Sequence, residues 1–163
     1  MNVRDFLTRQ GVDFEVIQHA ETFDAQHMAH EIHVSGHQVA KTVLLRADGG
    51  YRHFLAVLPA SARVDLRLLQ LVLGGSRVEL ATESEVGMVC RDCQLGAIPP
   101  FGSFFGVQTM LDRSLQDHDW IVFEGNSHRE SIRMRLCDFI RLESPLITDF
   151  AVSAGPNRLA ALH

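Results

Sequence analysis

Four places in the chain hold residues whose type and spacing could do chemistry. The stretch VCRDCQLGAIPPFGS, residues 89–103, carries Cys90 and Cys93 at Cys-x-x-Cys spacing, then the run Gly96, Ala97, Ile98, Pro99, Pro100, Phe101, Gly102. Histidines crowd the segment from His19 through His27, His30, His33 and His37. Lys41 stands alone, because the other fourteen of the fifteen basic residues are arginine. Finally, the run DWIVFEG leads into Gly125-Asn-Ser-His128.

Cys-x-x-Cys is half of a structural zinc site, and a closed site needs four ligands. The third cysteine, Cys137, has no matching pair. A thioredoxin-like redox motif sits at a helix N-terminus after a strand, whereas this one follows a helical pattern. In the histidine segment, the zinc-protease spacing that would start at His30-Glu31 requires a second histidine where Val34 stands. Neither cluster predicts a metal, and no cofactor is expected.

Lys41 lies in VAKTVLLR, where residues two apart share a strand face, so it joins Val39, Val43 and Leu45 in an apolar row. A lysine there either reaches out from the edge of the sheet or serves a pocket, since unpaired burial lowers its pKa. The Gly96–Gly102 run combines prolines that fix the backbone with glycines that free it, which lets main-chain N–H groups approach a ligand closely. Its alternative is a rigid turn. His128, at a strand end, could donate or accept a proton. Ser127 has neither a nucleophile elbow nor a triad order around it.

The elements that must position these groups alternate irregularly. A short helix over 3–10 ends at Gly11, a strand over 13–18 follows, and Thr22 or Asp24 caps a helix running to His33. Strands over 39–46 and 51–58 flank Asp48-Gly49-Gly50, a hairpin signal. A helix begins near Asp65, and Gly74-Gly75 separates it from a short strand over RVELA. Thr82-x-x-Glu85 is the capping box of a further helix. Strands are expected over 103–107 and 119–124 and around Ile132 and Met134, then a short helix over 137–142. This pattern predicts one mixed α+β domain over 1–145 with a largely antiparallel, curved sheet, and a loosely attached tail over 146–163.

At 163 residues and 46% hydrophobic content the chain suffices for one core. No signal-peptide core or membrane-length apolar run is present, and three cysteines make an odd set, so a cytoplasmic protein with reduced thiols is expected. A net charge of -5 argues against DNA or any long stretch of nucleic acid, and leaves room for contact with one nucleic-acid end.

Taken together, AKTVLLRADGG, DCQLGAIPPFG and a strand ending FEGNSH resemble the YbaK/prolyl-tRNA synthetase-associated editing domain, with HAETFDAQHMAHEIHVSG extending the likeness toward the N-terminus. The resemblance covers nearly the whole chain up to the tail, and it implies a sheet closed into a pseudo-barrel with surrounding helices. It also implies deacylation of mischarged aminoacyl-tRNA, with the acceptor end of that tRNA as partner and an aminoacyl-tRNA synthetase as a possible second one. Lys41 matches the family lysine that contacts the acceptor end, Gly96 to Pro100 match its Gly-x-x-x-Pro loop, and His128 matches a histidine lining the same pocket. Ala97, Ile98, Pro99, Phe101, Gly102 and Gly125 are then expected around the substrate. Water attacks the ester, or a group of the substrate itself does. The alternative on the same fold is a module that binds a nucleotide or aminoacyl group without turnover.

Overall fold

The structure, a computed structural model, describes residues 2–22, 24–50 and 52–154. Helix α1 (Val3–Gln10) opens on Asn2, whose side chain accepts the Asp5 N–H, and closes on left-handed Gly11. Strand β1 (Phe14–Gln18) leads to α2 (Ala25–Glu31), and there Asp24 is the residue that caps, taking the His27 N–H. Strands β2 (Ala40–Ala47) and β3 (Arg52–Pro59) form the expected antiparallel hairpin around residues 48–50, Lys41 lying opposite Leu58. Tyr51, expected in the second strand, lies outside the described residues.

Strand β4 (Ala62–Val64), α3 (Leu66–Val72), β5 (Val78–Leu80) and α4 (Glu83–Val89) follow. The capping box of α4 is formed in both directions between Thr82 and Glu85. Residues 103–107, expected as a strand, are instead largely α5 (Gly102–Phe105), closed by Gly106 in the left-handed conformation. The strand comes later, as β6 (Gln108–Asp112). The run Ser103 to Val107 has strand-like composition, but Gly102 before it and left-handed Gly106 within it give the start and stop of a single helical turn. Strands β7 (Trp120–Glu124) and β8 (Glu130–Arg135), helix α6 (Leu136–Glu143), and strands β9 (Leu146–Thr148) and β10 (Ala151–Ser153) complete the chain.

The mixed α+β class holds, but the sheet does not close into a pseudo-barrel. Strands lie in three separate sheets, ordered β5-β2-β3-β6-β9, β1-β8-β7 and β10-β4. The largest is mixed, because β3–β6 and β6–β9 pair in parallel. Its outer strands, β5 and β9, are three residues each and leave open edges. Among the described residues a single parallel bridge, Val39 to Val122, reaches across to the three-stranded sheet, and one bridge makes no ladder. Residues 146–153 are also not loosely attached: β9 extends the large sheet, β10 pairs with β4, and Phe150 between them is fully buried. Residues 155–163 lie outside the described residues.

The main core fills the space between the three-stranded sheet and one face of the large sheet. Val3 and Leu7 of α1 and Phe139 of α6 pack there on Ile121, Phe123, Ile132, Met134, Val57 and Leu111. Phe101 is its centre, with rings of Phe6, Phe123 and Phe139 set edge-on at 5.3, 5.6 and 5.2 Å. A second core on the other face of the large sheet buries Leu69 of α3 and Phe150. Helix α2 packs Met28 and Ala29 against Val39 and Val122 beside that single bridge.

Candidate active site

The Gly96 loop is built from its backbone. Gly96 adopts φ +85°, a conformation that favours glycine. The Ala97 N–H turns back to the Gln94 carbonyl at 2.9 Å, the Phe101 N–H reaches the Pro99 carbonyl at 2.9 Å, and the Gly102 N–H donates to Thr109 Oγ1 at 2.8 Å. The prolines have no N–H, so Gly96 and Ile98 are left as donors without a partner among the described residues. Gly96 is exposed, whereas Ala97, Ile98, Pro99, Pro100, Phe101 and Gly102 are buried. Phe101 and Ile98 belong to the packed cores, the latter against Leu44, Leu55 and Cys90. What this loop offers to a ligand is therefore main chain more than side chain.

The structure brings His128 to this loop. Its backbone N–H donates to Gln94 Oε1 at 2.7 Å, and its ring Nε2 lies 2.6 Å from the Leu95 carbonyl. The turn before it is held by Asn126, at φ +74°, whose side chain accepts the Val3 N–H at 2.8 Å and donates to Cys93 Sγ at 3.2 Å. The Asn126 carbonyl in turn accepts the Gln94 N–H at 3.0 Å. Gly125 is buried where a Cβ would come within 3.3 Å of Glu130 Oε1 and 3.4 Å of Ile132. Thus 93–97 and 125–128 form one unit, although they are remote in sequence.

Lys41 approaches from the other sheet. The parallel bridge sets Val39 beside Val122, and two residues on in each strand are Lys41 and Glu124. Lys41 is half-buried. Burial lowers its pKa, and the nearby Asp24 carboxylate partly offsets that by favouring the ammonium. Glu124 is 4% exposed, and burial, followed by the charge of Asp24, pushes its carboxyl up to about 8. Asp24 itself is held below the usual carboxylate range: burial acts to raise it, but hydrogen bonds from the backbone and ring of His27 prevail.

Sequence reasoning did not single out Glu124, Gln94 or Asn126, and gave Asp24 only as a candidate helix cap. The signal for Glu124 is present: in WIVFE it shares a strand face with Val122, which α2 covers, so a carboxylate there must be buried. The cysteines do something simpler. Burial pushes the Cys90 thiol up to about 12 and raises Cys93 as well, which keeps both protonated and poor as ligands or nucleophiles. Among the histidines, His27 binds Asp24 Oδ2 at 2.8 Å and His37 faces Ser61 Oγ at 2.9 Å.

Among the described residues no helix is long and apolar enough to cross a membrane. A solved structure of the hypothetical protein APE2540 shares the fold, with a TM-score of 0.83 at 18% identity, over 92% of this chain and 99% of that one. The chain is 28% identical over 151 residues to the multifunctional Ser/Thr-tRNA deacylase ProXp-y of Escherichia coli, covering 91% of this chain and 90% of that protein. It is 21% identical over 125 residues to the prolyl-tRNA editing protein ProX of Acetoanaerobium sticklandii, covering 74% and 76% of the two chains. The aminoacyl-tRNA editing domain matches residues 19–142.

Proposed function

The chain belongs to the aminoacyl-tRNA editing domain family, and from that premise we propose that it is a trans-editing deacylase. Its substrate is the ester joining a wrong amino acid to the terminal ribose of a tRNA. The observation that carries this reading is that the matched span, residues 19–142, contains Lys41, the Gly96 loop and the 125–128 turn together.

The ester is already activated, so the site needs no protein nucleophile. Water adds to the carbonyl carbon, the bond from that carbon to the ribose oxygen breaks, and the ribose oxygen leaves with a proton. The products are the free amino acid and an uncharged tRNA end. The N–H groups of Gly96 and Ile98 face the oxyanion that develops on the carbonyl, and each such donor contributes about 100- to 1000-fold. Lys41 contacts a phosphate of the acceptor end as a point charge and so fixes where the ester lies. His128 holds the loop from behind through the Leu95 carbonyl. Contact stays confined to the acceptor end, in keeping with the acidic balance of the chain, and a synthetase hands over the substrate.

Hydrolysis of a panel of tRNAs charged with serine, threonine, alanine and proline tests the reading. Release of at least one amino acid well above the buffer rate is expected. A chain that binds charged tRNA and releases none of them is the binding module instead.

A further inference from the structure

Three polar atoms in one corner of the protein have no hydrogen-bond partner among the described residues: Thr22 Oγ1, Glu124 Oε1 and His128 Nδ1. Their residues are 7%, 4% and 9% exposed. They are neighbours, since the Thr22 N–H donates to the His128 carbonyl at 3.0 Å and Glu124 Oε1 lies 3.6 Å from His128 Nδ1. Unpartnered groups this deep are costly, so an arrangement that leaves three together calls for a cause.

For Glu124 and His128 the tautomer of the ring supplies it. A carbonyl oxygen only accepts, so at 2.6 Å from the Leu95 carbonyl the ring Nε2 must carry its proton. Nδ1 then bears either a lone pair or a second proton, and it faces a carboxyl oxygen. A carboxylate against a lone pair is two acceptors in confrontation. One proton between them removes the conflict, whichever atom it rests on. The 3.6 Å separation is wider than a made hydrogen bond. The terminal torsion of glutamate is broad, and turning the carboxyl closes such a gap at little cost.

We infer that Glu124 and His128 share a single proton, and that through it Glu124 is a positioning residue for the deacylation proposed above, holding His128 where it clamps the loop of Gly96 and Ile98. The inference rests on that functional reading for its consequence, but not for the proton itself. The charged group that bears on Glu124 besides His128 is Asp24 ahead of α2, which favours keeping the proton, while Lys41 stands two residues beyond the Val39–Val122 bridge on the neighbouring strand. Burial and Asp24 together win, so the proton is held at neutrality. When it leaves at alkaline pH, His128 swings from the carboxylate and the Leu95 clamp slackens.

The test has two readouts on the intact protein. Nitrogen NMR of the His128 ring between about pH 6 and 9.5 needs no substrate, and the pH profile of deacylation, corrected for hydrolysis in buffer, reads the consequence. The expected result is an Nε2 that stays protonated throughout, with one titration step on the alkaline side of neutrality that Glu124→Gln removes. Glu124→Leu, which leaves Nδ1 unpaired, lowers the rate about tenfold at neutral pH, the size of one buried hydrogen bond, and the difference from the natural protein closes on the alkaline side. Glu124→Gln recovers part of that loss, because its amide donates to Nδ1, and it lacks the alkaline fall of the natural protein. An Nδ1–H tautomer, or a titration unchanged in Glu124→Gln, overturns the shared proton. An unchanged alkaline limb in an otherwise matching Glu124→Gln overturns the positioning role. If the natural protein releases no amino acid from any tRNA of the panel, the deacylase reading and the positioning role fall together, while the NMR titration still decides the proton.

Discussion

The side-chain carbonyl of Gln94 accepts the backbone N–H of His128 at 2.7 Å and so ties together two turns that are thirty-four residues apart in sequence. Gln94 is exposed, so the bond does little for the core and much for the relative placement of the two turns. Gln94→Ala is expected to cost about 1 kcal/mol of stability or less. Its loss of deacylation is expected to exceed what that figure implies, and urea unfolding beside rate measurements separates the two.

Lys41 is the residue whose removal separates binding from folding. A half-buried ammonium is a burden on the fold, because burial already lowers its pKa. Lys41→Met is therefore expected to keep or raise the melting temperature while abolishing turnover. Turnover that survives in this variant removes the lysine from the mechanism. Lys41→Arg is expected to recover little, since a planar fork does not replace a compact point charge on a phosphate.

Glu85 sets the acid limit of stability. It closes the capping box with Thr82, receives His53 Nε2 at 3.0 Å, and pairs with Arg46 Nε at 3.3 Å, so it ties α4 to the β2–β3 hairpin. These contacts, the Thr82 N–H foremost, hold its carboxyl down to about 2, against an ordinary value of 4.5. A lowered carboxylate pKa means that the contribution is whole above about pH 4.5 and drains away as pH falls toward 2. Glu85→Gln is expected to be less stable at neutral pH and to flatten the acid slope in that window. Thermal melts from pH 2 to 7 measure both.

Gly102 admits no side chain. A Cβ there would collide with Thr109 Oγ1 and lie 2.5 Å from the Val107 carbonyl oxygen, which cannot retreat from a backbone turn. The Gly102 N–H also needs that same Thr109 hydroxyl, which in turn donates to Glu143 Oε1 at 2.5 Å. Gly102→Ala is expected to destabilise the protein by about 1–3 kcal/mol through overpacking. Denaturant midpoints give the value.

The three thiols are expected to sort by burial. Cys137 is exposed and is alkylated first, while Cys90, buried with its thiol pushed up to about 12, stays unmodified until the protein unfolds. Cys90→Ala is expected to retain deacylation, and a chelator to leave it unchanged. Rapid modification of Cys90 in the folded protein would return the Cys-x-x-Cys pair to consideration.

Sequence was most informative where the decisive interactions are local. The capping box at Thr82 and Glu85, the hairpin at 48–50 and the α2 segment depend on residues within a few positions of one another, and each formed. Sheet order depends on distant partners. Strand β6 pairs with β3 across about fifty residues in parallel, so no alternation within 103–112 says which five residues carry the ladder. The open edges at β5 and β9 are likewise decided by strand length at remote points. In the site, Lys41, the Gly96 loop and His128 stand out by type and spacing. Glu124, Gln94 and Asn126 do not, because their significance lies in partners that folding brings to them.

Asp112 accepts the N–H groups of both Phe150 and Ala151 on one oxygen, at 2.9 and 2.8 Å, and Phe150 seals the second core. In a chain emerging from the ribosome the site's turns, through residue 128, thus precede the segment that closes the hydrophobic layer behind the large sheet. Until residue 151 is free of the exit tunnel, that layer stays unsealed against solvent and Asp112 lacks both donors. Residues 146–153 are therefore a latch, and chains stopped short of them are exposed to aggregation and proteolysis even with every residue of the proposed site already made.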